Sequence, residues 1–198
     1  MIRYLSCILL LLVPLLSGCL GSSALETWVM ADAEPEKICR VAVLPFENLT
    51  EEDQAGVVSQ RIFHGALVNS GSFEVRPEGD VSLFRLRHRL LPGDLLLPFH
   101  FSDLQEKLQV DAVVQGRLSE FGMDAGRGEG DVPVAAMRMN LYDVRRGKLV
   151  LSSLHHRWGD EYRRAMHFGT VTTMTGLLDK MSVEIIAEWI EKGVGKCQ

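Results

Sequence analysis

The sequence predicts a single α/β (α+β) domain in which a mixed five-stranded sheet is packed by helices. Two observations point there. Short apolar runs rich in β-branched residues occur at 40–46, 72–76, 111–118, 132–142 and 148–157, separated by stretches of helical period. The resulting order, βαβααβββα, has no internal repeat and mixes strands with helices long enough to cover a sheet. Length and composition agree: 198 residues, 46% hydrophobic and 24% charged, suit one globular domain of ordinary make-up.

Each element follows from local chemistry. Arg40 to Phe46 is a short apolar run broken by Pro45, the pattern of a buried strand. Thr50 and Asp53 offer a helix start, and over 51–70 Val58, Ile62, Phe63, Ala66 and Leu67 share one face. Gly71 follows as a left-handed terminator. Phe73 and Val75 alternate inward in a second strand that Pro77 stops. Asp80 is placed to cap a short helix over 81–91, and Pro92-Gly93-Asp94 turns the chain. Ser102 and Gln105 read as a capping box for a helix over 103–109. The third strand is Asp111 to Leu118, followed by a Gly-rich excursion over 122–131. Val132 to Tyr142 alternates strictly, Asp143 to Gly147 turns, and Lys148 to Arg157 returns as the fifth strand. A long helix from Thr170 then carries Met174, Leu177, Leu178, Met181, Ile185 and Trp189 as a core-facing stripe.

The N-terminus has a separate logic. In residues 1–18, Arg3 supplies a short positive region and Ile8 to Leu16 is an apolar segment interrupted only by Pro14. That run is shorter than the ~20 residues a membrane span needs, so it reads as an export signal. Leu16-Ser17-Gly18-Cys19 resembles a bacterial lipobox, which implies that Cys19 is acylated and heads the mature chain. Two or three acyl chains hold a protein stably on a membrane, whereas one is marginal. Position 20 is Leu and not Asp, which by resemblance to lipoprotein sorting implies the periplasmic face of the outer membrane. Residues 19–38 then read as a lipidated N-terminus and tether, and 39–198 as the periplasmic domain. Trp28, Val29 and Met30 form an apolar knot in the tether that either touches the membrane surface or docks on the domain.

With Cys7 discarded and Cys19 acylated, Cys39 and Cys197 remain. In an oxidising compartment they either pair and staple the two ends of the domain, or persist as free thiols. Loss of the signal leaves 20 Lys+Arg against 26 Asp+Glu, a net charge of −6. That sign excludes a nucleic-acid binder driven by backbone electrostatics.

Catalytic signatures are absent: no G-x-S-x-G, H-E-x-x-H, C-x-x-C or phosphate loop occurs. Gly126-Arg127-Gly128-Glu129-Gly130 leads into a strand and not a helix N-terminus, so it reads as a hairpin loop. His155, His156, Asp160, Glu161 and His167 are the richest set of potential metal ligands. Adjacent strand residues point to opposite faces, however, so a shared site would need a bulge. No catalytic residue, metal or cofactor is therefore assigned. Arg85, Arg87, His88 and Arg89 make a basic helix in an acidic protein, either a solvated face or a docking patch for a lipid headgroup, an acidic polymer or a partner. Trp158, in an aromatic and Arg-rich segment, either anchors an interface or closes one end of the core.

Arg40 to Thr50 (RVAVLPFENLT), Asp111 to Phe121 (DAVVQGRLSEF) and Leu141 to Ser152 (LYDVRRGKLVLS) form an ordered trio. This trio resembles the TolB-N-terminal-like group of envelope lipoproteins, which includes CsgG, LpoB and PelC. The likeness covers about residues 40–190 and rests mainly on strand and turn grammar. Leu151-Ser152 departs from the Trp-Ser common in the group. The compact mature chain has no room for a curli-type pore insertion, so the resemblance is PelC-like or LpoB-like. It implies a non-enzymatic, homo-oligomeric accessory in assembly or export of an envelope polymer, of the Pel polysaccharide-export kind. The alternative it implies is an activator of a peptidoglycan synthase. A metal-dependent hydrolase using the His155–His167 region ranks last.

Overall fold

The computed structural model describes residues 25–125, 130–163, 169–195 and 197. The elements are β1 (Glu26–Val29), β2 (Arg40–Val43), β3 (Glu47–Asn48), α1 (Ala55–Ser70), β4 (Glu74–Val75), α2 (Glu78–His88) and α3 (Pro98–Asp103). They continue with β5 (Ala112–Asp124), β6 (Val132–Asp143), β7 (Lys148–Trp158) and α4 (Met174–Glu191). All seven strands join one mixed sheet in the order β1-β7-β6-β5-β2-β4, with β3 pairing β5 beyond the end of β2. β2 lies parallel to both β4 and β5, whereas β5, β6, β7 and β1 are successively antiparallel.

The five expected strands are present, and two short ones join them. β3 continues the line of β2 after Pro45 interrupts it. β1 corrects the reading of 19–38 as a tether throughout. Glu26, Thr27, Trp28 and Val29 pair in register with Leu154, Ser153, Ser152 and Leu151, so this stretch is part of the sheet. Four residues carry too weak an alternation to register as a strand without the β7 edge that receives them.

Helix ends moved for identifiable reasons. α1 starts at Ala55 because Thr50 is held by the Asn48 side chain, its hydroxyl donating to Oδ1 at 2.8 Å, in a turn before the helix. α2 occupies 78–88, begun by Pro77 and ended by Arg89 in the left-handed region at φ 53°. The expected capping box at Ser102 does not form. The helix starts earlier, with Pro98 in its first turn, and the Ser102 hydroxyl donates to the Pro98 carbonyl. A π-helical turn over Leu104–Leu108 replaces the regular helix expected there. α4 begins at Met174, where the Thr173 hydroxyl accepts from the Gly176 amide, and not at Thr170.

One sheet face is closed by α1 and α4. Val41, Val43, Ala112, Val114, Met137, Met139 and Leu141 meet Phe63 and Leu67 of α1 and Leu177, Met181, Ile185 and Trp189 of α4. Trp189 is fully buried; its ring lies edge-on to Phe63 at 5.6 Å and its indole N–H donates to Ser153 Oγ at 2.8 Å. Phe46 crosses Gly116 so closely that a Cβ there would lie 2.5 Å from the ring, which requires glycine at this point of β5. The opposite face is covered only over β2 and part of β5, where Val81 and Phe84 of α2 and Phe101 of α3 pack on Ala42, Leu44 and Val113. Cys39, just before β2, and Cys197, after α4, are joined in a disulfide with Cα atoms 5.1 Å apart. Beside it the Gly195 amide donates to the Ile38 carbonyl at 3.0 Å, so the two ends of the domain meet.

Candidate functional site

Two regions gather the residues that sequence singled out. The first is the corner where β7 runs out towards α4. The adjacent histidines point to opposite faces, as the strand period requires. His155 is fully buried with Nε2 2.6 Å from Glu184 Oε2, while His156 Nε2 lies on the other face, 2.9 Å from Glu120 Oε2. The Tyr162 hydroxyl donates to the same Glu184 oxygen at 3.0 Å, and the Arg157 guanidinium lies 3.5 Å from it and 5.4 Å from the Tyr162 ring centre. Burial works to raise the Glu184 pKa. Hydrogen bonds from His155 and Tyr162, with the Arg157 charge, outweigh it and hold this carboxyl below its ordinary range. Burial, then the Glu184 charge, push the Tyr162 phenol well above its usual range, so it stays a proton donor.

Trp158 ends β7 half-buried. Its indole N–H donates to Asp124 Oδ2 at 3.2 Å and its ring lies tilted against His156, with centres 4.1 Å apart. Asp160 and Glu161 lie in the 3-10 turn that follows, and His167 lies outside the described residues. His155, His156 and Glu161 are thus engaged by different partners: Glu184, Glu120 and Arg157. Among the described residues no three His, Cys, Asp or Glu converge on a metal-sized site. The arrangement holds protons and fixes the approach of α4 to β7; it positions no nucleophile.

The second region is α2 and the loop after it. Arg85 is half-buried and Arg87 and Arg89 are exposed, so the three do not form one uniform basic face. Between and beyond them stand outward leucines that sequence reading passed over. Leu83, Leu86, Leu91, Leu95, Leu97 and Phe99 are six of the thirteen exposed large apolar side chains among the described residues, and Leu95 reaches 84% exposure. The signal was there in Leu90-Leu91 and Leu95-Leu96-Leu97, but a turn motif in the middle drew the reading to a surface loop. Below the loop, a cleft of about 300 Å³ beside α2 is lined by Arg76, Asp80, Leu83, Arg87, Lys107 and Gln109. His88 bridges to Asp103 at 2.9 Å, and Lys107 also pairs with that carboxylate. That charge-assisted bond from Lys107 is the main reason the Asp103 pKa is lowered.

Trp28 stands on the edge strand β1, 44% exposed and on the same sheet face as this loop. Cys19 and the rest of 1–24 lie outside the described residues, as does the Gly126–Glu129 part of the hairpin. Among the described residues no helix is long and apolar enough to cross a membrane.

In sequence the chain matches no protein-family model and no curated protein at a significant level. In structure it aligns with a subunit of the PelC dodecamer from Paraburkholderia phytofirmans at TM-score 0.56 and 17% identity, over 84% of this chain and 98% of that one. The chain shares the fold of PelC. The hypothetical protein CT253 from Chlamydia trachomatis aligns at TM-score 0.53 and 14% identity, covering 76% of this chain and 95% of its own. Lipoprotein GNA1162 from Neisseria meningitidis gives 0.52 and 17%, over 78% and 99%. The resemblance read from three strand-and-turn segments therefore holds at the level of architecture, across nearly the whole length of PelC and GNA1162.

Proposed function

We propose that this chain is a lipid-anchored accessory protein of the bacterial envelope, acting without catalysis in assembly or export of an envelope polymer. In this reading residues 1–18 are removed on export. Cys19 carries the acyl chains, and the domain works as a homo-oligomer on the periplasmic face of the outer membrane. The single observation that supports it best is the fold shared with PelC over 84% of this chain, where the neighbour is a dodecamer. The lipobox-like Leu16-Ser17-Gly18-Cys19 supports the location, and the β7–α4 corner, where His155, Arg157 and Tyr162 all turn to Glu184, fits a structural role better than a reactive one.

Native mass spectrometry of the purified, membrane-extracted protein tests the assembly. The expected result is one closed oligomer that persists on dilution; a strict monomer at high concentration would sink the reading. Intact-mass analysis of the N-terminal peptide tests the anchor, with a Cys19 peptide heavier by two or three acyl chains expected. Deletion of the gene, scored by exported polymer against cell-wall synthesis, decides the pathway. Unchanged polymer with altered wall synthesis would replace export with synthase activation.

A further inference from the structure

We propose that the outward leucines of α2 and its following loop seat this domain on an anionic phospholipid surface, so that protein and acyl anchor grip the same bilayer. The inference rests on the acylated Cys19 read above and adds a second, protein-borne contact.

Three observations converge on it. Leu83, Leu86, Leu91, Leu95, Leu97 and Phe99 place nearly half of the exposed large apolar side chains of the described residues within a 17-residue stretch. Apolar side chains clustered this way mark an interaction surface, whereas scattered ones do not. Next, the patch is edged by cations although the protein as a whole is acidic. Arg87 and Arg89 are exposed and make no ion pair among the described residues. Two carboxylates of the same region are occupied elsewhere: Asp94 accepts from the Leu91 amide at 2.7 Å, and Asp103 is shared by His88 and Lys107. Exposed apolar groups with unpaired arginines fit the headgroup region of an anionic bilayer, where each cation near the surface adds attraction.

The third observation is reach. Glu26, Leu154, Arg138, Arg117 and Glu47 are paired one to the next across β1, β7, β6, β5 and β3, so they form one row on one sheet face. The row ends under the loop: Glu47 packs against Gly93, and Leu95 lines the same shallow cleft as Arg117 and Arg138. Four strand spacings of ~4.8 Å make it about 19 Å long. Only six residues lie between Cys19 and Glu26, seven chain steps that span at most about 25 Å when extended. So short a connection holds the domain against the bilayer that takes the acyl chains. On this face it brings Trp28 at one edge and the leucine loop at the other down to the same surface.

Spin-label depth measurement on the full acylated chain in vesicles of phosphatidylethanolamine and phosphatidylglycerol tests the proposal. The label is attached at Leu95→Cys, with Val183→Cys on α4 as the control; both positions are exposed, at 84% and 53%. The expected result is a Leu95→Cys label lying about 5–10 Å below the phosphates and a Val183→Cys label in water. The Arg87→Glu/Arg89→Glu variant should then shift the first label outward. A Leu95→Cys label in water while the chain floats with the vesicles overturns the proposal and leaves the acyl anchor standing. A label shielded from both lipid and water overturns it in favour of a contact between copies. Failure of the chain to float at all removes the anchor and this proposal together.

Discussion

On one face of the sheet, α1 and α4 bury 26 residues in a continuous apolar core; on the other, α2 and α3 bury 10 over β2 and part of β5. The first face turns most of its apolar side chains inward, with Val57 and Val68 of α1 and Val183 of α4 left exposed. On the second, α2, its loop and α3 carry six large apolar side chains outward, and Arg138 is exposed on the strands beside them. Burial of apolar area is the main favourable term in folding, so the closed face holds most of the stability. The open face is where substitution can change contacts with other bodies at little cost to the fold.

That contrast can be tested from its strongest point downward. Trp189→Ala removes a fully buried ring, its edge contact with Phe63 and its bond to Ser153, and should cost about 3–5 kcal/mol in chemical denaturation. A cost under about 1 kcal/mol would show that this face does not dominate. Next is the disulfide, which links residues 158 apart and closes nearly the whole domain into one loop. Cys39→Ser with Cys197→Ser should lower stability by about 2–5 kcal/mol. Equal thermal midpoints with and without reductant would rule the staple out.

The β7–α4 corner comes third. Glu184→Gln weakens charge-assisted bonds from His155 and Tyr162 and should cost about 1–3 kcal/mol at neutral pH. Because the folded-state pKa of Glu184 is depressed, its contribution is fully present above the unfolded carboxylate value and is lost as pH falls through the folded value. Stability of the parent should therefore drop more steeply on acidification than that of Glu184→Gln; parallel curves would contradict the assignment. Smallest of all, Leu95→Asp on the open face should alter folding stability by no more than about 0.5 kcal/mol. A large loss there would mean the loop is part of the core.

Much of the closed face was legible in the sequence. Val132–Tyr142 alternates because every second residue meets α1 or α4, and the stripe through Leu177, Met181, Ile185 and Trp189 repeats at helical spacing for the same reason. Gly71 ends α1 at φ 66°, as its position after the apolar face implied. Less legible was whatever depends on a distant partner. β1 exists because β7 offers it an edge. Asp103 is paired through His88, fifteen residues earlier, and Lys107. Glu184 drew no attention in the sequence, although it organises His155, Arg157 and Tyr162. A carboxylate on a helix looks like any solvated one until the fold shows what it faces.

The sequence by itself determined the order of the main strands, the helical stripes and the acidic charge. Those properties are local, carried by period, turn chemistry and composition. Tertiary structure decided which sheet face is closed and which is open, that Cys39 meets Cys197, and that residues 26–29 lie in the sheet. It also left the leucines of 83–99 outward, because α2 spends Val81 and Phe84 on the sheet and no further layer among the described residues covers the rest.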